Sequence, residues 1–412
     1  MMISELHFQN LLVVMVIACA APLLIGLRPS LRLPAVILEI VAGIVMGPSG
    51  LDWATVDAPV AVLALLGLGM LLFLSGLEVD LGRLRGPLGR AALTGFAISS
   101  AVALTVGAGL DAAGLVTSPI FVAIVLSATS LGVVIPVLKD SNLAQSDFGQ
   151  LIIAAASIAD VATIVLLSLL FSRDGSGAGA TAVLLAGLFL VAAVVALTVA
   201  LGERSNRLSM TLVRLQDTTA QIRVRASVLL LVAFAALAQT LGLEVILGAF
   251  IAGLLLGALD MDRGMNHPLL RTKLEAIGFG FLIPVFFVTS GLRFNLHALT
   301  SSSSALALVP LFTAALLLVR GAPAVAAHRR FGDRRHTAAA ALLQATSLPF
   351  IVASTMIGVE IGTLSAATAA ALVAAGLLSV LAFPVLALVL LDDPARAGVE
   401  QAPVTPIAHP TM

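Results

Sequence analysis

Residues 151–170 read LIIAAASIADVATIVLLSLL, nineteen uncharged residues around one aspartate, Asp160. A run of about 20 predominantly apolar residues is what a helix needs to cross the hydrocarbon core of a bilayer. A carboxylate in the middle of such a run costs about 2.5–3.5 kcal/mol on insertion scales, so its presence is a functional hypothesis in itself. Comparable apolar runs recur from Leu11 to Leu391. Only 11% of the 412 residues are charged and 60% are hydrophobic, against about 25% charged in soluble domains. A soluble fold could not hide that much apolar surface, so the fold class is an all-α polytopic membrane protein.

Pro, Gly and charge clusters divide the chain into 13 expected transmembrane helices, near 10–27, 33–47, 58–77, 88–110, 118–138, 148–171, 179–201, 224–241, 243–259, 274–292, 304–328, 337–358 and 362–391. The tightest joint is at Gly242, which leaves almost no loop. Cytoplasmic loops carry the excess of Lys and Arg. With the N-terminus outside, 19 of the 22 basic residues fall in inside loops, two (Arg173, Arg293) fall outside, and Arg320 alone lies within an expected helix. Merging the eighth and ninth helices would put every later loop on the wrong side. The expectation is a transmembrane domain over 1–391 in the inner cell membrane, with the N-terminus outside and the C-terminus cytoplasmic. Residues 392–412 are short, polar and Pro-rich, the composition of a disordered tail. The first ten residues lack Lys and Arg, so the N-terminal run reads as a retained helix rather than a signal peptide.

The lone Cys19 excludes an intramolecular disulfide framework and a cysteine metal site. The six histidines form no metal-ligand spacing. No nucleophile–base pair or phosphate loop is visible, so an enzyme is the least favoured class and no cofactor is expected.

Two strings repeat: Ala128-Thr129-Ser130-Leu131 and Ala345-Thr346-Ser347-Leu348. The first runs on to Pro136 and the second to Pro349, so each sets small polar residues beside a helix breaker inside an apolar segment. Interrupted backbone at membrane depth is tolerated only where it lines a cavity or is packed in protein. A pair of such interruptions in two halves of a chain points to a secondary transporter's site. They fall in the fifth and twelfth helices, and a seven-helix offset inverts topology. The bland alternative is a pair of kinked helices whose Ser and Thr bond back to their own turns.

Charges inside the apolar runs are few. Ser157 and Thr163 lie three residues from Asp160, on adjacent faces. Arg320 is the natural partner for Asp160, unless it snorkels to the cytoplasm. Arginine effectively never deprotonates, so its role is to tune the carboxylate or hold helices together. Glu39 lies deep enough to line a vestibule or a packed interface. Glu244, beside Gly242, is expected at the outer boundary, and Glu78, Asp80, Asp140, Asp147 and Glu360 in solvated loops or helix ends.

The strings EIVAGIVMGPSGL (39–51), LLFLSGLEVDL (71–81), LSATSLGVVIPVLKD (126–140), LGLEVILGAFIAGLLLG (241–257) and FLIPVFFVTSGLRFNL (281–296) resemble the cation/proton antiporters of the Kef and Nap type over nearly the whole chain. The resemblance implies an inverted-repeat antiporter fold with two broken, crossed helices, a dimerisation domain, and a core with helices near 118–171 and 304–358. It implies alternating access by core movement and a homodimer. Asp160 matches the family's ion- and proton-binding aspartate. Thr129 and Ser130 match the unwound stretch beside it, with Thr346 and Ser347 in the second, and Arg320 falls where relatives place an embedded Lys or Arg. Many relatives carry Asp, Asn or Gln where this chain has Ala159. Kef-type systems also carry a nucleotide-sensing domain, which residues 392–412 are expected to be too short to form.

The expected function is exchange of Na⁺ or K⁺ for H⁺ by competition at Asp160, with oxygens of Thr129, Ser130 and Ser157 nearby and Arg320, Ser347, Thr346 and Glu39 supporting. Hard cations take oxygen ligands, and one titrating group implies electroneutral exchange. The expected partners are these ions, lipid and a second copy, with no nucleic acid. Two alternatives remain: an anion or organic-solute transporter using Arg320 and half-helix N-termini, and an antiport-deficient channel-like or regulatory relative.

Overall fold

A computed structural model describes residues 8–27, 34–79, 82, 86–140, 143–171, 178–202, 214–215, 218–261, 268–328 and 334–391. The expected tail 392–412, Asp80, Arg173 and loop residues such as Arg28, Arg32, Arg83 and Arg85 lie outside the described residues. The helices are α1 (Gln9–Gly26), α2 (Ala35–Met46), α3 (Ala58–Glu78), α4 (Pro87–Ala112), α5 (Pro119–Leu126), α6 (Leu131–Asp140), α7 (Asp147–Leu170), α8 (Ala178–Gly202), α9 (Ile222–Thr240) and α10 (Val245–Met261). They continue as α11 (Pro268–Ile277), α12 (Ile283–Leu292), α13 (Leu296–Thr300), α14 (Ser303–Leu316), α15 (Ala322–His328), α16 (Arg334–Ala345), α17 (Pro349–Glu360) and α18 (Ala366–Leu391).

Among the described residues, ten helices are long and apolar enough to cross a membrane, and Ala35–Met46, Pro119–Ile135 and Val245–Leu259 are shorter apolar helices. This is a multi-pass membrane protein, and a helix stands at each expected position. Two joints were not expected from periodicity. The π-helical turns Gly278–Leu282 and Leu317–Gly321 join α11 to α12 and α14 to α15 without ending the rod. Such turns are rare and cluster at functional sites.

The α9–α10 joint closes at Gly242, whose φ of +70° lies in the left-handed region. The Leu243 amide reaches back to the Ala238 carbonyl at 2.9 Å and the Gly242 amide to Gln239 at 3.1 Å. Gly is the residue that adopts this C-terminal cap without a Cβ penalty. Glu244 follows at this joint and is buried, with 3% exposure. Glu78 stands at a helix end, closing α3, but it is partly buried and pairs with Arg271 at 3.0 Å rather than being simply solvated.

The helices gather into two bundles. α1–α3 pack with α9–α12, α4–α7 pack with α13–α18, and α8 touches α7 and α10. Close contact in the first bundle rests on missing side chains where α3 meets α10. A Cβ on Gly253 would lie 1.9 Å from the Phe73 carbonyl oxygen, and one on Gly76 would lie 2.2 Å from that of Phe250. Small residues let apolar helices approach closely where lipid removes the hydrophobic drive to associate. Gly253→Ala is therefore expected to force the pair apart and cost about 1–3 kcal/mol, read as a lower unfolding midpoint in detergent. An unchanged midpoint would mean the α3–α10 contact yields freely.

Candidate functional site: a carboxylate at two crossed helix breaks

The helix carrying the first repeated string unwinds over Ser127–Ser130, between α5 and α6, and the second over Thr346–Leu348, between α16 and α17. Pro136 lies inside α6 rather than at the break, whereas Pro349 is in the first turn of α17, a position whose missing N–H would have no helical partner anyway. The two breaks touch. The Ser130 amide donates to the Thr346 carbonyl at 2.9 Å, and Thr129 Oγ1 donates to the Gln344 carbonyl at 2.6 Å. Each interruption thus satisfies groups that the other frees, as backbone away from water requires.

A third element fixes the second break. Ser379 Oγ, on α18, accepts from the Ser347 amide at 3.2 Å and lies 3.0 Å from the Ser347 carbonyl and 2.8 Å from that of Gly376. Among the described residues, the buried Ser347 hydroxyl has no hydrogen-bond partner.

Asp160 sits near the middle of α7 with 8% exposure. Its carboxylate takes a hydrogen bond from the backbone amide of Leu131, and the charges that act on it are Glu78 and Arg320. Leu131 is the first residue of α6. A helix N-terminus presents unpaired amides and about half a positive charge, so an anion is stabilised there. The broken helix provides Asp160 with a fixed dipole at membrane depth.

Arg320 lies in the π turn Leu317–Gly321 with 1% exposure, so it does not snorkel. Nor does it grip Asp160 directly. Its Nε donates to Thr129 Oγ1 at 2.7 Å, its Nη1 to Ser99 Oγ at 3.2 Å and its Nη2 to the Ala155 carbonyl at 3.3 Å. The guanidinium also lies 6.0 Å from the centre of the Phe96 ring. Through Thr129 the cation reaches the Gln344 carbonyl near the C-terminus of α16, the negative end of that half-helix. Asp160 and Arg320 thus neutralise opposite helix ends and interact across the crossing without an ion pair.

The other expected residues divide. Ser130 lines a cavity between the two bundles, of about 810 Å³, that Glu39, Ser75, Glu78 and Pro349 also line. Thr129 has its donor and one acceptor engaged, which makes it a strut between the breaks and Arg320. Ser157 turns its hydroxyl to the Ile153 carbonyl of its own helix at 2.9 Å. Ser99, Ser379 and Glu78 are the participants that the sequence did not single out. Glu78 carried a signal, since it is the acid that ends an apolar run, but the two serines carried none. Chemically, a buried carboxylate held by an amide dipole, next to a helix break whose Ser130 lines a cavity, suits a proton or a small hard cation.

The family described as sodium/hydrogen exchanger, transmembrane, matches residues 15–391. The chain is 32% identical over 394 residues to the putative Na⁺/H⁺ antiporter YjbQ of Bacillus subtilis, covering 91% of this chain but 62% of that protein. It is 27% identical to the probable Na⁺/H⁺ antiporter 3 of Methanocaldococcus jannaschii, over 82% of this chain and 85% of that one. Its fold matches the structure of the sodium proton antiporter MjNhaP1 from M. jannaschii at pH 8 with a TM-score of 0.66 and 17% identity, covering 92% and 98% of the two chains.

Proposed function

Because this chain belongs to the sodium/hydrogen exchanger transmembrane family, we propose that it exchanges a monovalent cation, Na⁺ or K⁺, for H⁺ by alternating access, with Asp160 as the carboxylate both ions share. The observation that carries the reading is a buried aspartate capped by the amide of a broken half-helix, where the two breaks cross. The dipole supports the charged carboxylate once its proton leaves. Ser130 and the unwound carbonyls then offer oxygens to a partly dehydrated cation. The bundle carrying the breaks, Asp160 and Arg320 is the moving core, and the other bundle is the scaffold. Lipid and a second copy cover apolar faces such as Leu12, Val16 and Leu23 on α1, giving a homodimer. The N-terminus faces outward, so the side of the cavity at Glu78, which pairs with Arg271, faces the cytoplasm.

Arg320 cannot carry the proton, so one proton per cation is the stoichiometry and exchange is electroneutral. An anion carrier would need an open cation, whereas the Arg320 donors are directed at Thr129, Ser99 and Ala155. The test is flux in proteoliposomes. An imposed pH gradient should collapse on adding Na⁺ or K⁺ at a rate indifferent to membrane potential. Strong potential dependence would contradict the one-for-one stoichiometry, and no collapse with any cation would identify an antiport-deficient relative.

A further inference from the structure

Glu39 is unlike Asp160 and unlike Glu78, the other carboxylate that lines the cavity. It sits on α2 with 5% exposure and lines the cavity. Asp160 has the Leu131 amide and Glu78 has Arg271, whereas among the described residues Glu39 makes no hydrogen bond or ion pair and no neighbouring charge acts on it. A carboxylate withdrawn from water is not left uncompensated. What compensates Glu39 must come from the cavity it lines. Ser75 and Ser130 hydroxyls line the same space, and 810 Å³ holds a small cation with part of its water, since a water claims about 30 Å³. Oxygen ligands and a single negative charge fit a monovalent cation.

The place of Glu39 in the fold sets its role. α2 packs on α1 and α12 in the first bundle, whereas Ser130 and Pro349 on the facing wall belong to the second bundle with Asp160. We infer that Glu39 is a second monovalent-cation site, fixed in the cavity wall, that loads cations for Asp160 and stays behind when the other bundle moves. This rests on the exchange reading above and leaves its stoichiometry intact, because the Glu39 ion is handed on rather than carried.

Two measurements on the full chain test it. In proteoliposomes, Glu39→Gln should raise the cation KM about tenfold, the lower end of what a charged cleft does to local ion concentration, while kcat is kept. Glu39→Asp, which retains the charge, should return KM toward the parent value; a packing role would show no such rescue. In detergent, labelled Na⁺ or Rb⁺ should bind weakly to Asp160→Asn and not to the Asp160→Asn/Glu39→Gln double variant. An unchanged KM in Glu39→Gln, or equal binding by the single and double variants, would overturn the proposal. Exchange surviving in Asp160→Asn would sink the Asp160 reading instead, and the binding comparison would still decide Glu39.

Discussion

Asp160→Asn should abolish cation-dependent proton flux in proteoliposomes, down to the level of protein-free vesicles, while making the protein harder to unfold. The two effects have one origin. Asn keeps the size of the side chain and an oxygen for the Leu131 amide, so the crossing has no reason to collapse. It neither binds a proton nor offers charge to a cation, so both half-reactions lose their site. The parent carries a carboxylate with 8% exposure at mid-helix, and relieving that burden is worth up to about 2.5–3.5 kcal/mol at membrane depth. A higher unfolding midpoint with no exchange is the expected pair of results. Lost exchange with a lower midpoint would instead make Asp160 a structural residue, and full retained exchange would remove it from the mechanism.

Arg320→Ala should show the reverse balance, with stability hit first. The substitution removes the donor of three hydrogen bonds to α4, α7 and the first break and empties a site with 1% exposure. Hydrogen bonds to a charged group are worth about 1.5–3 kcal/mol each, and a buried partner left alone makes the loss larger, so about 3–5 kcal/mol is expected. Arg320→Lys keeps the charge but not the planar fork. It can hold Thr129 but cannot also reach Ser99 and Ala155 in the same geometry, so it should fall between the two. Thermal unfolding in detergent ranks the three proteins. A midpoint for Arg320→Ala close to that of the parent would show that the breaks hold each other without the guanidinium.

Much of this arrangement was legible in the chain because membranes simplify the code. Apolar runs place helices, and a lone acid or base inside one is conspicuous, which is how Asp160, Arg320 and Glu39 stand out. The repeated Ala-Thr-Ser-Leu string located both interruptions, although only the second has its proline at the break, Pro136 lying within α6. What the sequence did not carry is the pairing across distance. Arg320 meets Thr129 from 191 residues away and Ser99 from 221, and no local pattern marks those serine and threonine hydroxyls from others in helices. For the same reason the expected Asp160–Arg320 partnership became an interaction through the crossing instead of direct contact. The π turn that carries Arg320 was hidden too, because one extra residue in a helical turn leaves the apolar content of the run unchanged.

The central claim is that a proton and a cation compete for Asp160, and proton release on cation binding tests it most directly. Purified protein in weakly buffered detergent solution should release about one proton per chain when Na⁺ or K⁺ is added, the linkage expected when a ligand needs a deprotonated group. The release should be absent in Asp160→Asn. Cation addition without proton release, or equal release from Asp160→Asn, would contradict the claim.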